Sequence, residues 1–316
     1  MNQVDVVAHP NVALVKYWGK RDELEKIPAS PSLSITLGGL ETRTSVTEAS
    51  ADTVVINGKT IADQKILQWL GWVRHQYDIP RLKIDSSNNF PTNCGFASSS
   101  SGFAAMAVGI NELCRLDLNL VSLARVTRFG SASAVRSLLS GYVTMHPDTE
   151  ECAPVQLVAP EYWELSVVAA VTSTEPKPTS STSGMARTVA TSPFFEKWVD
   201  STSDDFERCK QAIHRRNFDL LAEISEANCY RMHALMMSTD PPLRYWSAGT
   251  MNAIDTIERL RHDRVPVFFT SDAGPQIKAI CPPEVLPTVR RALEDTDGVL
   301  STLESDIGNA PTLSAS

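Results

Sequence analysis

The sequence has few cysteines, and none of them lies in a metal-binding or redox motif. The 316 residues include six cysteines, scattered along the chain without a Cys-x-x-Cys pair or a Cys/His metal spacing. Scattered cysteines of this kind are typical of free thiols in a reducing compartment. We therefore expect a cytoplasmic protein and give the cysteines no functional role.

Long apolar runs and an excess of positive charge are also absent. No segment approaches the roughly 18 apolar residues that indicate a membrane span, and the first ten residues lack the basic start and long apolar core of a signal peptide. The formal net charge of −8 argues against broad binding to nucleic acid or to an anionic membrane. Small polyanions are not excluded, because an acidic chain can still form a local basic cleft.

What is present is the apolar patterning of a folded mixed α/β protein. Hydrophobic residues make up 42% of the chain, which is enough for a sizeable core in one large domain or two moderate ones. A Pro/Ser/Thr-rich segment at 173–184 is the best candidate boundary, and we divide the chain into domains 1–172 and 173–316. The predicted strands cover 4–8, 33–37 (half-buried), a hairpin at 53–61, 81–85, 141–146, 165–171, 265–270, 276–281 and 299–304. The predicted helices cover 66–77, 103–114, 118–128, part of 130–139, much of 193–237, and 284–293.

Residues 88–102, NNFPTNCGFASSSSG, form the most informative segment. The segment begins with a turn signal and continues through a glycine and four consecutive serines. Apolar residues with helical spacing follow it. A small-residue loop at a helix start offers backbone N–H groups, hydroxyls and the positive end of the helix dipole, and phosphate is the usual occupant of such a site. A serine run alone is more often a flexible linker. This run lies between apolar segments, so we interpret it as a phosphate loop.

Comparison with known phosphate motifs narrows the interpretation. The loop lacks the Gly-Lys-Ser/Thr ending of a P-loop and the three spaced glycines of a dinucleotide fingerprint. Its pattern Pro-x-x-x-Gly-x-x-Ser-Ser-x-Ser resembles the phosphate loop of the GHMP kinases. The segment AHPNVALVKYWGKRD at 8–22 closely resembles the opening motif of the mevalonate diphosphate decarboxylases. Further segments resemble that family in the same order, at 28–34, 88–102, 130–137, 231–234 and 272–275.

The resemblance implies a fold and a reaction. The fold is the GHMP kinase fold, with an N-terminal α/β domain like ribosomal protein S5 domain 2, a C-terminal ferredoxin-like domain, and the active site between them. The reaction is ATP- and magnesium-dependent decarboxylation of mevalonate 5-diphosphate to isopentenyl diphosphate, with ADP, phosphate and carbon dioxide, through phosphorylation at C3. Family members are commonly homodimers, and we expect no nucleic-acid or membrane partner.

The resemblance also implies roles for individual residues. The implied catalytic residues are Asp272, Arg136, Lys16 and Asn11. Asp272 would deprotonate or orient the C3 hydroxyl, and Arg136 would bind the substrate carboxylate. The implied substrate-binding residues are Tyr17, Lys20, Ser131, Ser133 and Arg136. The implied ATP-binding residues are Pro91, Gly95, Ser98, Ser99, Ser100, Ser101, Ser180 and Ser181, with the Ser99 hydroxyl as a candidate magnesium ligand.

Simpler interpretations of the same residues exist. The Asp272 motif, Asp-Ala-Gly-Pro, also suits an ordinary turn, and an isolated arginine such as Arg136 is more often a surface residue. Lys16 and Lys20 could extend along apolar surface at a strand edge. We expect His233 to be a structural helix histidine with a hydrogen-bonded ring.

Departures from the family pattern leave the substrate open. Asn93, Cys94 and Phe96 replace the usual loop residues, and Thr182 stands where many bacterial members have an arginine for the distal phosphate. A decarboxylase of mevalonate 5-phosphate, a mevalonate 3-kinase without decarboxylation, and a non-catalytic binding homologue therefore stay as alternatives. The presence of Lys20 with Tyr17 favours the diphosphate.

Overall fold

The computed structural model describes residues 3–91 and 98–314 and confirms the mixed α/β prediction. The loop residues Asn93, Cys94, Gly95 and Phe96 lie outside the described residues. The strands are β1 (Gln3–Ala8), β2 (Asn11–Val15), β3 (Lys20–Asp22), β4 (Ile27–Pro28), β5 (Ser32–Thr36), β6 (Thr42–Glu48), β7 (Thr53–Ile56), β8 (Lys59–Ile61), β9 (Leu82–Asn88), β10 (Tyr142–Met145), β11 (Pro154–Val158), β12 (Ser166–Val171), β13 (Phe268–Thr270), β14 (Ile277–Cys281), β15 (Ser301–Ser305) and β16 (Thr312–Ser314). The helices are α1 (Gln64–Tyr77), α2 (Ser98–Leu113), α3 (Leu120–Gly130), α4 (Ser181–Thr191), α5 (Phe195–His214), α6 (Phe218–Met237), α7 (Ala248–His262) and α8 (Leu286–Glu294), and a 3₁₀ helix covers Ala132–Leu138.

The N-terminal half contains two sheets. The first has the strand order β16-β1-β6-β9-β7-β8, and α1, α2 and α3 share an apolar core with its central strands. Its β7–β8 connection is the predicted hairpin, in which Asn57 and Gly58 adopt the positive φ angles (51° and 74°) of a tight hairpin turn. The second sheet has the order β11-β10-β5-β2 and carries several polar side chains of the site.

The C-terminal half has the ferredoxin-like topology that the family resemblance implied. Its sheet has the order β13-β14-β12-β15, with antiparallel pairing at every described step. Helices α4–α7 connect β12 to β13, and α8 connects β14 to β15, which gives the β-α-β-β-α-β pattern. One face of this sheet packs on α7 and α8. The other face shares a core with α5, α6, β2 and β5, and this shared core joins the two halves.

Strands β2, β3, β4, β6, β11 and β16 were not predicted, and three further details differ from the sequence-based expectations. Strand β5 was expected to be half-buried, but all five of its residues are buried because Ser32 and Ser34 contact the interior guanidinium of Arg136. The serines Ser98–Ser101 form the first turn of α2 instead of belonging to the loop. Helix α7 was not predicted, although Ser247 and Thr250 form a capping box at its start.

The division of the chain at residues 172 and 173 stays a prediction. Strand pairing gives a reason to place it earlier, because β12 precedes that point yet pairs with β14 and β15. The last described strand, β16, returns to the N-terminal half and pairs with β1. Within residues 3–91 and 98–314, none of the helices combines the length and the hydropathy that a membrane span requires.

A close crossing of two backbone segments ties the end of β15 to the N-terminal half. The Gly308 amide donates to the Thr36 carbonyl at 2.8 Å, and the Gly38 amide donates to the Asp306 carbonyl at 3.0 Å. A Cβ atom on Gly308 would lie 2.5 Å from the Cα and nitrogen of Gly38. Because both neighbours are backbone atoms, the segments cannot accommodate it without separating.

We expect Gly308→Ala to reduce the free energy of unfolding by about 1–3 kcal/mol, the usual cost of forcing extra atoms into a packed site. Gly71→Ala is the matched control, since Gly71 lies in α1, where an added Cβ would meet no neighbouring segment within 4 Å. That change should stabilise the helix by about 0.5–1 kcal/mol. Thermal unfolding of both variants shows whether each change raises or lowers stability. A Gly308→Ala midpoint at or above that of the parent protein would contradict the close backbone contact between Gly308 and Gly38.

Candidate active site

A cavity of about 640 Å³ opens between the two halves and collects most of the predicted site residues. Its described lining includes six basic side chains and a single carboxylate, that of Asp272. The predicted residues that line it are Asn11, Lys16, Tyr17, Lys20, Ser99, Ser131, Ser133, Arg136, Ser180, Ser181 and Asp272. Such a lining suits a ligand with several negative charges.

Asp272 lies in the turn that follows β13 and is held between two ammonium groups. Its Oδ1 accepts a hydrogen bond from Lys16 Nζ at 2.8 Å, and its Oδ2 lies 3.6 Å from Lys278 Nζ. Burial alone would raise the pKa of Asp272, but Lys16, Lys278 and Arg136 outweigh burial and lower this pKa to about 2. The turn interpretation of Asp-Ala-Gly-Pro was therefore incomplete, because the same turn holds an ionised carboxylate at the cavity.

The position of Lys16 is set by helices of the C-terminal half. Its backbone amide, at the end of β2, donates to Asn228 Oδ1 at 2.7 Å. Asn228 Nδ2 in turn donates to Asp205 Oδ2 at 2.8 Å, and both of these residues are buried. Lys16 itself is only 1% exposed, so it is not a lysine extended along the surface.

Arg136 is an interior residue, and the surface interpretation of it is wrong. It is 3% exposed near the end of the 3₁₀ helix, and its Nε, Nη1 and Nη2 donate to Ser34 Oγ, Ser32 Oγ and Asn11 Oδ1 at 2.9, 2.6 and 3.1 Å. Burial lowers its pKa to about 10, while Asp272 opposes that shift, so the guanidinium stays charged at neutral pH. The alternating serines of β5 thus orient the Arg136 guanidinium.

The segment after β2 brings a tyrosine and a second lysine to the cavity. The Tyr17 hydroxyl is buried and has no hydrogen-bond partner among the described residues. Burial and the nearby Glu23 raise the pKa of Tyr17, which keeps its hydroxyl protonated. Lys20 Nζ lies 2.5 Å from Glu23 Oε2. A buried hydroxyl without a partner is costly, so a ligand oxygen that accepts its proton would relieve that cost.

The predicted phosphate-binding serines separate into two groups. Ser99, Ser131, Ser133, Ser180 and Ser181 line the cavity. Ser100 Oγ accepts from the Asn11 amide at 3.4 Å, and Ser101 Oγ is 2.6 Å from Thr42 Oγ1; both serines are buried. Pro91, Ser98, Ser100 and Ser101 are not among the lining residues, and Gly95 lies outside the described part of the chain.

Sequence reasoning missed three lysines of the cavity: Lys26, Lys65 and Lys177. Lys26 Nζ donates to the Phe129 carbonyl, and Lys65 Nζ lies 4.8 Å from the centre of the Phe103 ring. Partial desolvation at the cavity, and then the neighbouring Lys26, lower the pKa of Lys65, although much of its side chain stays exposed to solvent, which moderates the shift. No motif marks these lysines, because they come from separate segments that only the fold brings together.

The expectation of a fully hydrogen-bonded His233 ring is wrong at one nitrogen. His233 is 1% exposed in α6, and its Nε2 has no hydrogen-bond partner among the described residues. The ring stacks on Trp246 with centroids 4.2 Å apart. Burial and Lys16 lower its pKa to about 3, so the ring is neutral at physiological pH.

The ferredoxin-like C-terminal half, the α/β N-terminal half and the basic cavity between them define a protein of the GHMP kinase fold. Two family models match: the diphosphomevalonate decarboxylase-like N-terminal domain at residues 8–154 and the mevalonate 5-diphosphate decarboxylase C-terminal domain at residues 167–306. The chain belongs to the diphosphomevalonate decarboxylase family.

Individual relatives agree with this assignment. The diphosphomevalonate decarboxylase of Candida albicans is 32% identical over 98% of this chain and 90% of its own length. The solved mevalonate diphosphate decarboxylase of Enterococcus faecalis is 32% identical to this chain. The structural match covers 99% of each chain, with a TM-score of 0.90. A structure of "MDDEF in complex with MVAPP, AMPPCP and Magnesium" is 33% identical and covers 99% of both chains with a TM-score of 0.92.

The lowered pKa of Lys65 predicts a pH-dependent affinity for polyphosphate. As the pH rises from about 7.5 to about 9, Lys65 loses its proton, the cavity loses positive charge, and tripolyphosphate should bind more weakly. Lys65→Met should weaken binding roughly 10-fold at the lower pH and flatten the pH dependence, whereas Lys59→Met, in β8 and not among the residues that line the cavity, should do neither. Titration calorimetry across this pH range checks it, and equal pH slopes in Lys65→Met and the parent protein would disprove the role of Lys65.

Proposed function

We propose that this protein catalyses the ATP-dependent decarboxylation of mevalonate 5-diphosphate to isopentenyl diphosphate, releasing ADP, phosphate and carbon dioxide. The observation that carries the proposal is the ionised Asp272, which faces Lys16 and Arg136 in a cavity lined by basic side chains. Family membership and relatives named for this reaction support it.

The reaction explains why the site needs positive charge and precise positioning more than it needs reactive groups. A tertiary alcohol is a poor leaving group, so the C3 hydroxyl must be phosphorylated first. Loss of carbon dioxide then pushes electrons toward C3 as the phosphate departs. Stabilisation of phosphate charge and alignment of the reacting atoms are the main tasks of a protein in phosphoryl transfer.

Asp272 is proposed to orient the C3 hydroxyl by accepting its hydrogen bond. A general base works best when its pKa lies near the working pH, and the pKa of Asp272 is lowered to about 2. So strongly stabilised a carboxylate is a weak proton acceptor but a fixed hydrogen-bond acceptor. Of the two roles that the family resemblance implied for Asp272, the electrostatics favour orientation.

Arg136 is proposed to bind the substrate carboxylate. A guanidinium has five N–H donors, and its bonds to Ser32, Ser34 and Asn11 use three of them. The remaining donors suit a carboxylate, and the surrounding oxygens hold the planar group in place. Asn11 also donates to Ser137 Oγ at 2.7 Å, which supports its predicted role in orienting the site.

The phosphate groups of the two substrates are proposed to bind different sets of the lining residues. Tyr17, Lys20, Ser131 and Ser133 are proposed to bind the substrate diphosphate, and the Tyr17 hydroxyl, which has no hydrogen-bond partner within residues 3–91 and 98–314, supports this. For ATP, the lining residues Ser99, Ser180 and Ser181 are proposed to contribute side chains. Gly95, Pro91, Ser98, Ser100 and Ser101 stay predictions, and Ser100 and Ser101 would act through their backbone because their hydroxyls bond within the protein.

Magnesium fits this donor set as a companion of ATP. No cluster of three or more His, Cys, Asp or Glu side chains suited to a metal occurs within residues 3–91 and 98–314. Mg²⁺ commonly binds through substrate phosphates and waters with few protein ligands, and the Ser99 hydroxyl at the cavity is the proposed protein neighbour. When bound, the ion would supply charge neutralisation at the phosphates of ATP. A cytoplasmic location and a homodimer are part of the same proposal.

We expect Asp272→Asn to lose about 10²-fold or more in turnover, the scale of a misplaced reacting group, and to lower the free energy of unfolding, because Lys16 and Lys278 lose the carboxylate that compensates them. Asp200→Asn is the matched control, because the Asp200 side chain is 69% exposed on α5. Steady-state rates of both variants check the expectation. Near-normal turnover of Asp272→Asn would remove Asp272 from the mechanism.

The function itself is tested with mevalonate, its 5-phosphate and its 5-diphosphate, with ADP and carbon dioxide measured in parallel. The proposal predicts one carbon dioxide for each ADP with the 5-diphosphate and little of either product with the other two. ADP without carbon dioxide would identify a kinase, and preference for the 5-phosphate would identify the alternative decarboxylase. No turnover with any of the three would favour a non-catalytic homologue.

A further inference from the structure

Lys278 is a buried lysine behind the site that no sequence motif marked. It lies in β14, where it pairs with Thr270 of β13 and Ala169 of β12 at the centre of the C-terminal sheet. Its side chain is 2% exposed, and it is not among the residues that line the cavity. Its Nζ lies 3.6 Å from Asp272 Oδ2, the carboxylate oxygen that Lys16 does not bind.

Lys278 carries a charge in apolar surroundings. Side chains alternate between the faces of a strand, so Lys278 shares a face with Ile280, which belongs to the apolar core that joins the two halves. A buried ammonium is unfavourable unless an opposite charge compensates it. Burial lowers the pKa of Lys278, and Asp272 opposes that shift. The carboxylate that compensates the charge of Lys278 is that of Asp272, which the proposed reaction also uses.

We propose that Lys278 is a positioning residue for Asp272. With Lys16 on Oδ1 and Lys278 on Oδ2, each carboxylate oxygen faces its own ammonium, which restricts rotation of the carboxylate and keeps it ionised. Lys278 acts through Asp272 and does not itself contact substrate. This role rests on the proposed decarboxylation, because it concerns the hydroxyl-orienting group of that reaction.

Other ionisable groups also face Asp272, and they limit what the removal of Lys278 can do. Lys16 stays bonded to Oδ1 in a Lys278 variant, so Asp272 keeps one direct cation. Without Lys278, fewer cations oppose the burial that raises the pKa of Asp272, so this pKa should rise. The groups that face Asp272 from the elements packed around it are Lys16 on β2, Arg136 on the 3₁₀ helix, Cys229 and His233 on α6, and Lys278 on β14.

The test compares Lys278→Met with Lys197→Met. Both changes remove one lysine charge, but the Lys197 side chain is 87% exposed on α5 and is not among the residues that line the cavity. For Lys278→Met we expect kcat to fall about 10- to 100-fold, the scale of a small misplacement of a catalytic group, with KM for ATP changed less than about twofold. The acidic limb of the kcat profile should move to higher pH by about one unit or more. Lys197→Met should match the parent protein in all three measurements.

Each outcome decides the proposal. An unchanged kcat and an unchanged acidic limb in Lys278→Met overturn it, and so does a lower kcat with an unmoved acidic limb, because that result indicates general damage to packing. If Lys278→Met does not fold, Lys278→Gln replaces it with a neutral polar side chain under the same criteria. A parent protein that forms neither ADP nor carbon dioxide refutes the proposed function itself, whereas an active parent with unaffected Lys278 variants refutes only the role of Lys278.

Discussion

Two groups that are costly to bury, the Lys16 ammonium and the Asp272 carboxylate, meet at 2.8 Å across 256 residues of sequence. Removing such ions from water is unfavourable by several kcal/mol each, and their attraction compensates only when the geometry is good. The geometry depends on both halves of the molecule, because β2 supplies Lys16 and the turn after β13 supplies Asp272. Asn228 and Asp205 fix the backbone of Lys16 from α5 and α6. The site therefore exists only when the two halves are packed together.

The distribution of charge follows from the same constraint. The protein carries a formal net charge of −8, yet the described lining of its cavity holds six basic side chains and one carboxylate. Desolvation, and then repulsion among these cations, lowers the pKa values of Lys26 and Lys65. A ligand with several phosphates would reduce that repulsion. The reduction would add to the free energy gained when the ligand binds. An acidic exterior is compatible with this arrangement because electrostatic interactions between separated surface charges are screened by salt within about 10 Å.

Much of the fold was predictable because it depends on local patterns. The Asn57-Gly58 hairpin, the apolar stripe of α1 and the run of β12 each carry their own signal. The roles implied for Lys16, Arg136 and Asp272 required the family resemblance, since the Asp-Ala-Gly-Pro turn alone is ambiguous. What the structure adds for these three residues is their meeting at one cavity; their catalytic roles stay proposals.

The residues that were missed share a physical reason. Lys26 and Lys65 become notable only where the fold gathers them with other cations at the cavity, and Lys278 only through its burial beside Asp272. Lys278 is the one charged residue of β14 (IKAIC), and lysines are rarely fully buried, so the sequence predicts a lysine that faces solvent. The second face of that sheet is covered by α5, α6 and β2, which come from distant parts of the chain. No local pattern could have indicated that cover.

If the packing of the two halves creates the active site, Lys16 and Asp272 must act as one unit in turnover. A double-mutant cycle in kcat/KM with Lys16→Met, Asp272→Asn and the double variant measures this coupling, using ATP and mevalonate 5-diphosphate. Groups that act as a unit should give a double variant that loses about as much activity as the more damaged single variant. Losses that multiply in the double variant would show that the two groups act independently and would contradict the coupling across the cavity.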